Sequence, residues 1–212
     1  VRIEGFTQVG GIVNPGIRTF VGVPGGPPTG ITGGEVPSIL INANSLSMAG
    51  GQARIQATRD GPGAPGKIEI NADTVMVERG SSIGALNEFV GAGTPVTVNS
   101  RILNLSGDPN LTTLTGIFSN SNFHPLYGQR GVPFLRDFTL ADSGPITLNA
   151  DKLTVLGNLA GISSDSFAFG ASSKITLNVG DALFAGPGAL SAQSLLAGTS
   201  GSITVNASGQ VN

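Results

Sequence analysis

The side chains able to do chemistry are few and spread thinly. Cysteine is absent, which removes a disulfide framework, a thiolate metal site and a cysteine nucleophile. The one histidine, His124, stands near the one tyrosine, Tyr127, but has no serine, cysteine or metal-ligating companion that would make it a catalytic group. The most suggestive acids are Asp73 and Asp151, which share one position of a repeated segment with Arg101 between them. A carboxylate pair on one face is what a polysaccharide hydrolase needs, and inverting enzymes hold the two about 6.5 to 9.5 Å apart. Two strand spacings put Asp73 and Asp151 roughly 10 Å apart. The intervening guanidinium makes a surface charge ladder the better reading, worth little free energy if exposed. The chain therefore reads as non-catalytic, with no cofactor and no metal site.

The element that positions these residues is a repeat. Six segments align: ILINANSLSM from Ile39, IEINADTVMV from Ile68, VTVNSRILNL from Val96, ITLNADKLTV from Ile146, ITLNVGDALF from Ile175 and ITVNASGQVN from Ile203. Their starts differ by 29, 28, 50, 29 and 28 residues, so one step carries about 21 extra residues. VRIEG at Val1 is a weaker seventh copy.

The first and third positions are aliphatic and the second is usually polar, the period of a half-buried strand. A turn and a second alternating pair follow, such as Val75 and Val77, closed by Gly50, Gly80, Gly107, Gly157 or Gly186. A third strand is expected around Ile55, Ile83, Ile117, Ile162 and Leu190. No segment has the spacing of an amphipathic helix.

Three short strands per unit predict an all-β fold: a right-handed single-stranded parallel β-helix, three-sided, with coils of about 28 or 29 residues and one large insert. It forms one domain over residues 1–212, and seven turns would make a rod of roughly 30 to 35 Å. A leucine-rich repeat has a similar period, but its asparagine stands three residues after the last strand leucine. Here asparagine follows the second aliphatic directly.

That fourth position is Asn42, Asn71, Asn99, Asn149, Asn178 and Asn206. Stacked in register, each amide can donate to the carbonyl of its neighbour, so the expectation is an internal structural ladder that satisfies an inward polar group. Metal ligation would favour charged oxygens instead. Glu4 in the weak first copy marks the end of the ladder.

The second position reads Leu40, Glu69, Thr97, Thr147, Thr176 and Thr204, an outward column ending in four threonines. Such columns organise water in ice-binding solenoids, but those faces use two ranks, and the companion position is expected to point inward. Ordinary strand propensity explains the threonines.

The insert, about 108–142, holds His124, Tyr127 and the phenylalanines Phe118, Phe123, Phe134 and Phe138. Phe118, Phe123, His124, Tyr127 and Phe134 are the candidate partner contacts. The segment either folds back over the rod or meets a partner or glycan. A Pro/Gly loop at 21–35 lengthens the first coil.

Composition narrows the partners. With a net charge of −2 and 11 basic residues scattered, no stripe exists to neutralise nucleic acid. Apolar runs are too short to insert in a membrane, and no secretory leader opens the chain. Beginning at Val1 without Met, it reads as a mature or excised fragment.

GKIEINADTVMV, GPITLNADKLTV and GSITVNASGQV resemble the β-helical repeats of filamentous-haemagglutinin-like exoproteins of the two-partner secretion type. The resemblance covers about residues 38–212, and Asn14-Pro15-Gly16-Ile17 is a partial echo of the family's secretion motifs. It implies an extracellular or bacterial cell-surface adhesin, fibre or stalk. Its partners would be a host-cell, glycan or matrix surface, or further copies of itself end to end. A carbohydrate-active β-helix and a self-assembling filament subunit are the alternatives, the latter because uncapped coil ends expose sheet edges.

Overall fold

The computed structural model describes residues 2–4, 6–8, 11–13, 16–21, 38–50, 53–59, 64–88, 91–122, 141–187 and 189–212. The candidate contacts Phe123, His124, Tyr127 and Phe134, Asn14-Pro15, and the loop at 21–35 apart from Val21 lie outside them.

Among the described residues the protein is all-β without a helix, and parallel strands build two sheets, as a β-solenoid requires. The larger sheet stacks β1 (Arg2–Glu4), β5 (Ile39–Ala49), β7 (Ile68–Glu78), β9 (Val96–Ser106), β11 (Ile146–Leu156), β13 (Ile175–Ala185) and β15 (Ile203–Ala207) in that order. The smaller stacks β4 (Gly16–Val21), β6 (Arg54–Arg59), β8 (Ser82–Asn87), β10 (Thr115–Ser121), β12 (Ala160–Ser163) and β14 (Ala189–Ser191). A short antiparallel pair, β2 (Phe6–Gln8) with β3 (Gly11–Val13), stands apart.

Register follows the repeat. Ile68 pairs with Ile39 and Val96, Ile146 with Val96 and Ile175, and Ile175 with Ile203. The 50-residue step from Val96 to Ile146 thus returns to register like the shorter ones. In the smaller sheet Ile17, Ile55, Ile83, Ile117, Ile162 and Leu190 are aligned in one row, as the third strand requires.

The strands also differ from the expected pattern. In five of the six units the first two strands, with the expected turn between them, are one continuous strand of 11 residues that bends; β15 has five residues. In β7 the inward residues are Ile68, Ile70 and Ala72, then Val75 and Val77. Asp73 and Thr74 face outward in succession, so the alternation changes phase there, and the ladder skips the sixth position of every unit. The corner therefore falls two residues later than the asparagine. Beyond the second arm, Gly50, Gly80, Gly157 and Gly186 have φ of 76°, 79°, 85° and 96°, a region a β-carbon makes costly.

Two further expectations need correction. β1 pairs Ile3 with Met48 and Glu4 with Ala49, so Arg2–Glu4 lies over the second arm of the unit, and Glu4 is no substitute for Asn42. Alternating aliphatics alone could not distinguish the two arms. The insert does not start near 108, because β10 belongs to the stack and Phe118 is one of its strand residues. Phe118 lies over Gly84 of the neighbouring unit, where an added β-carbon would come within 2.6 Å of its ring. The chain is back in the stack at Ala141, bridged to Gly91.

The core is a column of Ile, Leu and Val side chains at 0% exposure, among them Ile70, Val98, Leu148 and Leu177. Burying each contributes about 1.5 to 3 kcal/mol. That column holds the outer wall, and every side chain on it, at fixed spacing.

Candidate functional site

The bent strands set out two polar columns. The first is the asparagine ladder, and all six residues take part. Asn71 donates from Nδ2 to Oδ1 of Asn42 at 2.9 Å, Asn99 to Asn71 at 2.7 Å and Asn149 to Asn99 at 2.6 Å. Asn178 donates to Asn149 at 2.7 Å and Asn206 to Asn178 at 2.8 Å. Every donor points toward the earlier unit, so the column has a direction.

Its location corrects the expectation of an internal ladder. The third and fifth positions point into the core, so the fourth between them points out, and the six asparagines are half-buried or exposed. The companion rank to Thr97, Thr147, Thr176 and Thr204 is therefore outward as well. Its amides bond to one another along the column, which spends one donor and one lone pair of each interior residue.

The charged column runs along the corner beside the ladder. Arg101 binds Asp73 through two bonds, Nε to Oδ1 at 3.0 Å and Nη2 to Oδ2 at 3.2 Å. That bidentate contact holds the Asp73 carboxyl below its ordinary pKa and the Arg101 guanidinium above its own. Asp151, exposed in the next unit, attracts Arg101 more weakly and makes no ion pair among the described residues. The expected alternation of acid, base and acid is thus a pair plus a separate carboxylate. On the same strand as Asp73, hydrogen bonds from Lys67 and then Asn71 lower the pKa of Glu69.

Beyond Asp151 the corner side chains shrink to Gly180 and Ser208, and an open trough of about 830 Å³ runs over four units. Asn99, Asn149, Asn178 and Asn206 line its length, with Asp151 at its margin.

The second polar column was not anticipated. In the smaller sheet Arg59, Asn87, Ser121 and Ser166 stack in register and are 6%, 1%, 0% and 0% exposed. Asn87 donates to the carbonyls of Gly91 at 2.8 Å and Asp142 at 2.9 Å, and Arg59 donates to the carbonyl of Ala92 at 3.1 Å. Ser121 donates to Ser166 at 2.9 Å. Burial lowers the pKa of Arg59. Each residue stands four places after the third-strand aliphatic of its unit, a spacing that could have revealed the column although the residue types change.

No family model, curated protein or solved structure matches the chain.

What the site can do follows from its groups. The trough offers neutral amides, the Ser208 hydroxyl and one carboxylate at fixed spacing, with the buried Ser100 hydroxyl and alanine and valine side chains between them, an arrangement for hydrogen bonding. Among the described residues no group of three or more His, Asp or Glu lies close enough together to hold a metal ion, and no helix is long and apolar enough to cross a membrane.

Proposed function

We propose that the chain is a right-handed, three-sided parallel β-helix with coils of 28 or 29 residues, serving as a non-catalytic extracellular rod. In this reading it is part of a large bacterial surface or secreted exoprotein of the filamentous-haemagglutinin-like type, and it presents side chains to a host-cell, glycan or matrix surface. The carrying observation is the unbroken register: five successive amide bonds of 2.6 to 2.9 Å link units separated by 28, 29 or 50 residues. A repeat that tolerates a 50-residue step without slipping is suited to holding loops and faces at set intervals.

The acid chemistry also favours a rod over a hydrolase. A general acid works with its pKa raised toward the operating pH, whereas the Asp73 carboxyl is lowered by a bidentate guanidinium. Beads coated with the chain should adhere to cell or matrix surfaces, while incubation with polysaccharides should release no new reducing ends. Release that disappears in D73N or D151N would replace the rod with a carbohydrate-active enzyme.

A further inference from the structure

We propose that the trough along the asparagine ladder is a binding site for a linear, uncharged polysaccharide lying parallel to the stack, an assignment that rests on the adhesive reading above. The first argument is hydrogen-bond capacity. An asparagine amide has two N–H donors and a carbonyl with two lone pairs, and the ladder uses one donor and one lone pair at each interior step. One donor and one acceptor per unit are left over, repeated along the wall at about 4.8 Å. Hydroxyl groups, which donate and accept at once, complement such a row; ligands that only accept or only donate do not.

Charge supplies the second argument. The guanidinium of Arg101 is already taken up by Asp73, and the one charged side chain lining the trough is the Asp151 carboxylate. A uronate, sulfated or phosphate-bearing chain would meet that like charge in the lining, with the exposed Lys152 next to it but outside the lining. Protein partners are also a poor fit, because they anchor through aromatic and arginine side chains in apolar pockets. The trough is a shallow row of amides with serine, alanine and valine side chains, and no aromatic or arginine lines it.

Rigidity is the third argument. Each amide is held by both neighbours and carried on a strand packed over buried Leu148 or Leu177, so little side-chain entropy remains to be lost on binding. Gly180 puts no side chain between Asp151 and Ser208, where a β-carbon would run into the Asp151 carbonyl.

The test uses the intact chain and defined sugars: cellohexaose, xylohexaose and mannohexaose as neutral probes, with oligogalacturonate and a heparin hexasaccharide as charged ones. Binding of at least one neutral hexaose is expected, weakened tenfold or more by Ser208→Trp, which fills the trough. Leu196→Trp, on an exposed residue outside the trough, should leave it unchanged. Thermal midpoints of both variants establish that the fold is kept. The site is overturned if no neutral hexaose binds, if S208W binds as well as the parent, or if the charged probes are preferred. Adherence of coated beads without binding of any neutral hexaose would leave the adhesive rod standing while removing this site.

Discussion

The two polar columns use the same device in opposite surroundings. Along the outer wall, asparagines repeat without exception, and each bonds chiefly to its own kind with water at its back. Inside the smaller sheet the stacked residues change from Arg59 to Asn87 to Ser121 to Ser166, and each finds a different carbonyl or hydroxyl. A buried polar group without a partner forfeits its hydration, so every interior residue must fit a local set of partners. Outside, water completes whatever the ladder leaves, and a uniform residue suffices. Uniformity in the sequence therefore marks the tolerant column, and variety marks the demanding one.

Substitutions can break that distinction, beginning with the largest effect. Asn87→Leu removes the side-chain donor to the carbonyls of Asp142 and of Gly91, the latter keeping only the Asp142 N–H, and takes a partner from Arg59, so chemical denaturation should show a loss of about 3 kcal/mol. Ser166→Val removes the acceptor of the Ser121 hydroxyl and should cost about 1 to 2 kcal/mol in the same assay. Asn149→Ala cuts the outer ladder in the middle, yet water reaches the freed groups, and about 1 kcal/mol or less is expected. If N149A proved as costly as N87L, burial would not be what separates the columns.

The smallest effect belongs to the corner. Asp73→Asn should leave the thermal midpoint at neutral pH unchanged within error, because the pair is exposed and screened. Its pH dependence has a definite sign. The Asp73, Glu69 and Asp108 carboxyls are all lowered in the folded chain, Asp73 chiefly by Arg101, Glu69 by Lys67 and Asp108 by the Asn110 amide. Their contribution is complete above the unfolded carboxylate value of about 4 and is lost as pH falls through the lower folded values. A midpoint flat above pH about 5 and declining below about 4 is expected, with the decline slightly shallower in D73N.

Much of this architecture was legible beforehand because stacking makes a period visible. Ile39, Ile68, Val96, Ile146, Ile175 and Ile203 could be aligned by eye, and the same alignment gave the third-strand row from Ile55 to Leu190. The candidate site was half legible. Its ladder residues could be named, but not the side of the wall they occupy, and Phe118 looked like insert although it is strand. Ser121 and Ser166 carried no recurring type to flag them.

Sequence alone determined the register of the six units from Ile39 to Ile203, since each must meet its neighbour with the same aliphatic residues for the core to close. Only the tertiary structure decided that Asn42 to Asn206 face outward. Alternation holds through the fifth position, and the strand turns its corner at the sixth and seventh. A one-residue difference in where a strand bends reverses the face of the residues beyond it, and nothing in an aliphatic pattern locates that bend. The trough beside the ladder is a product of the same bend.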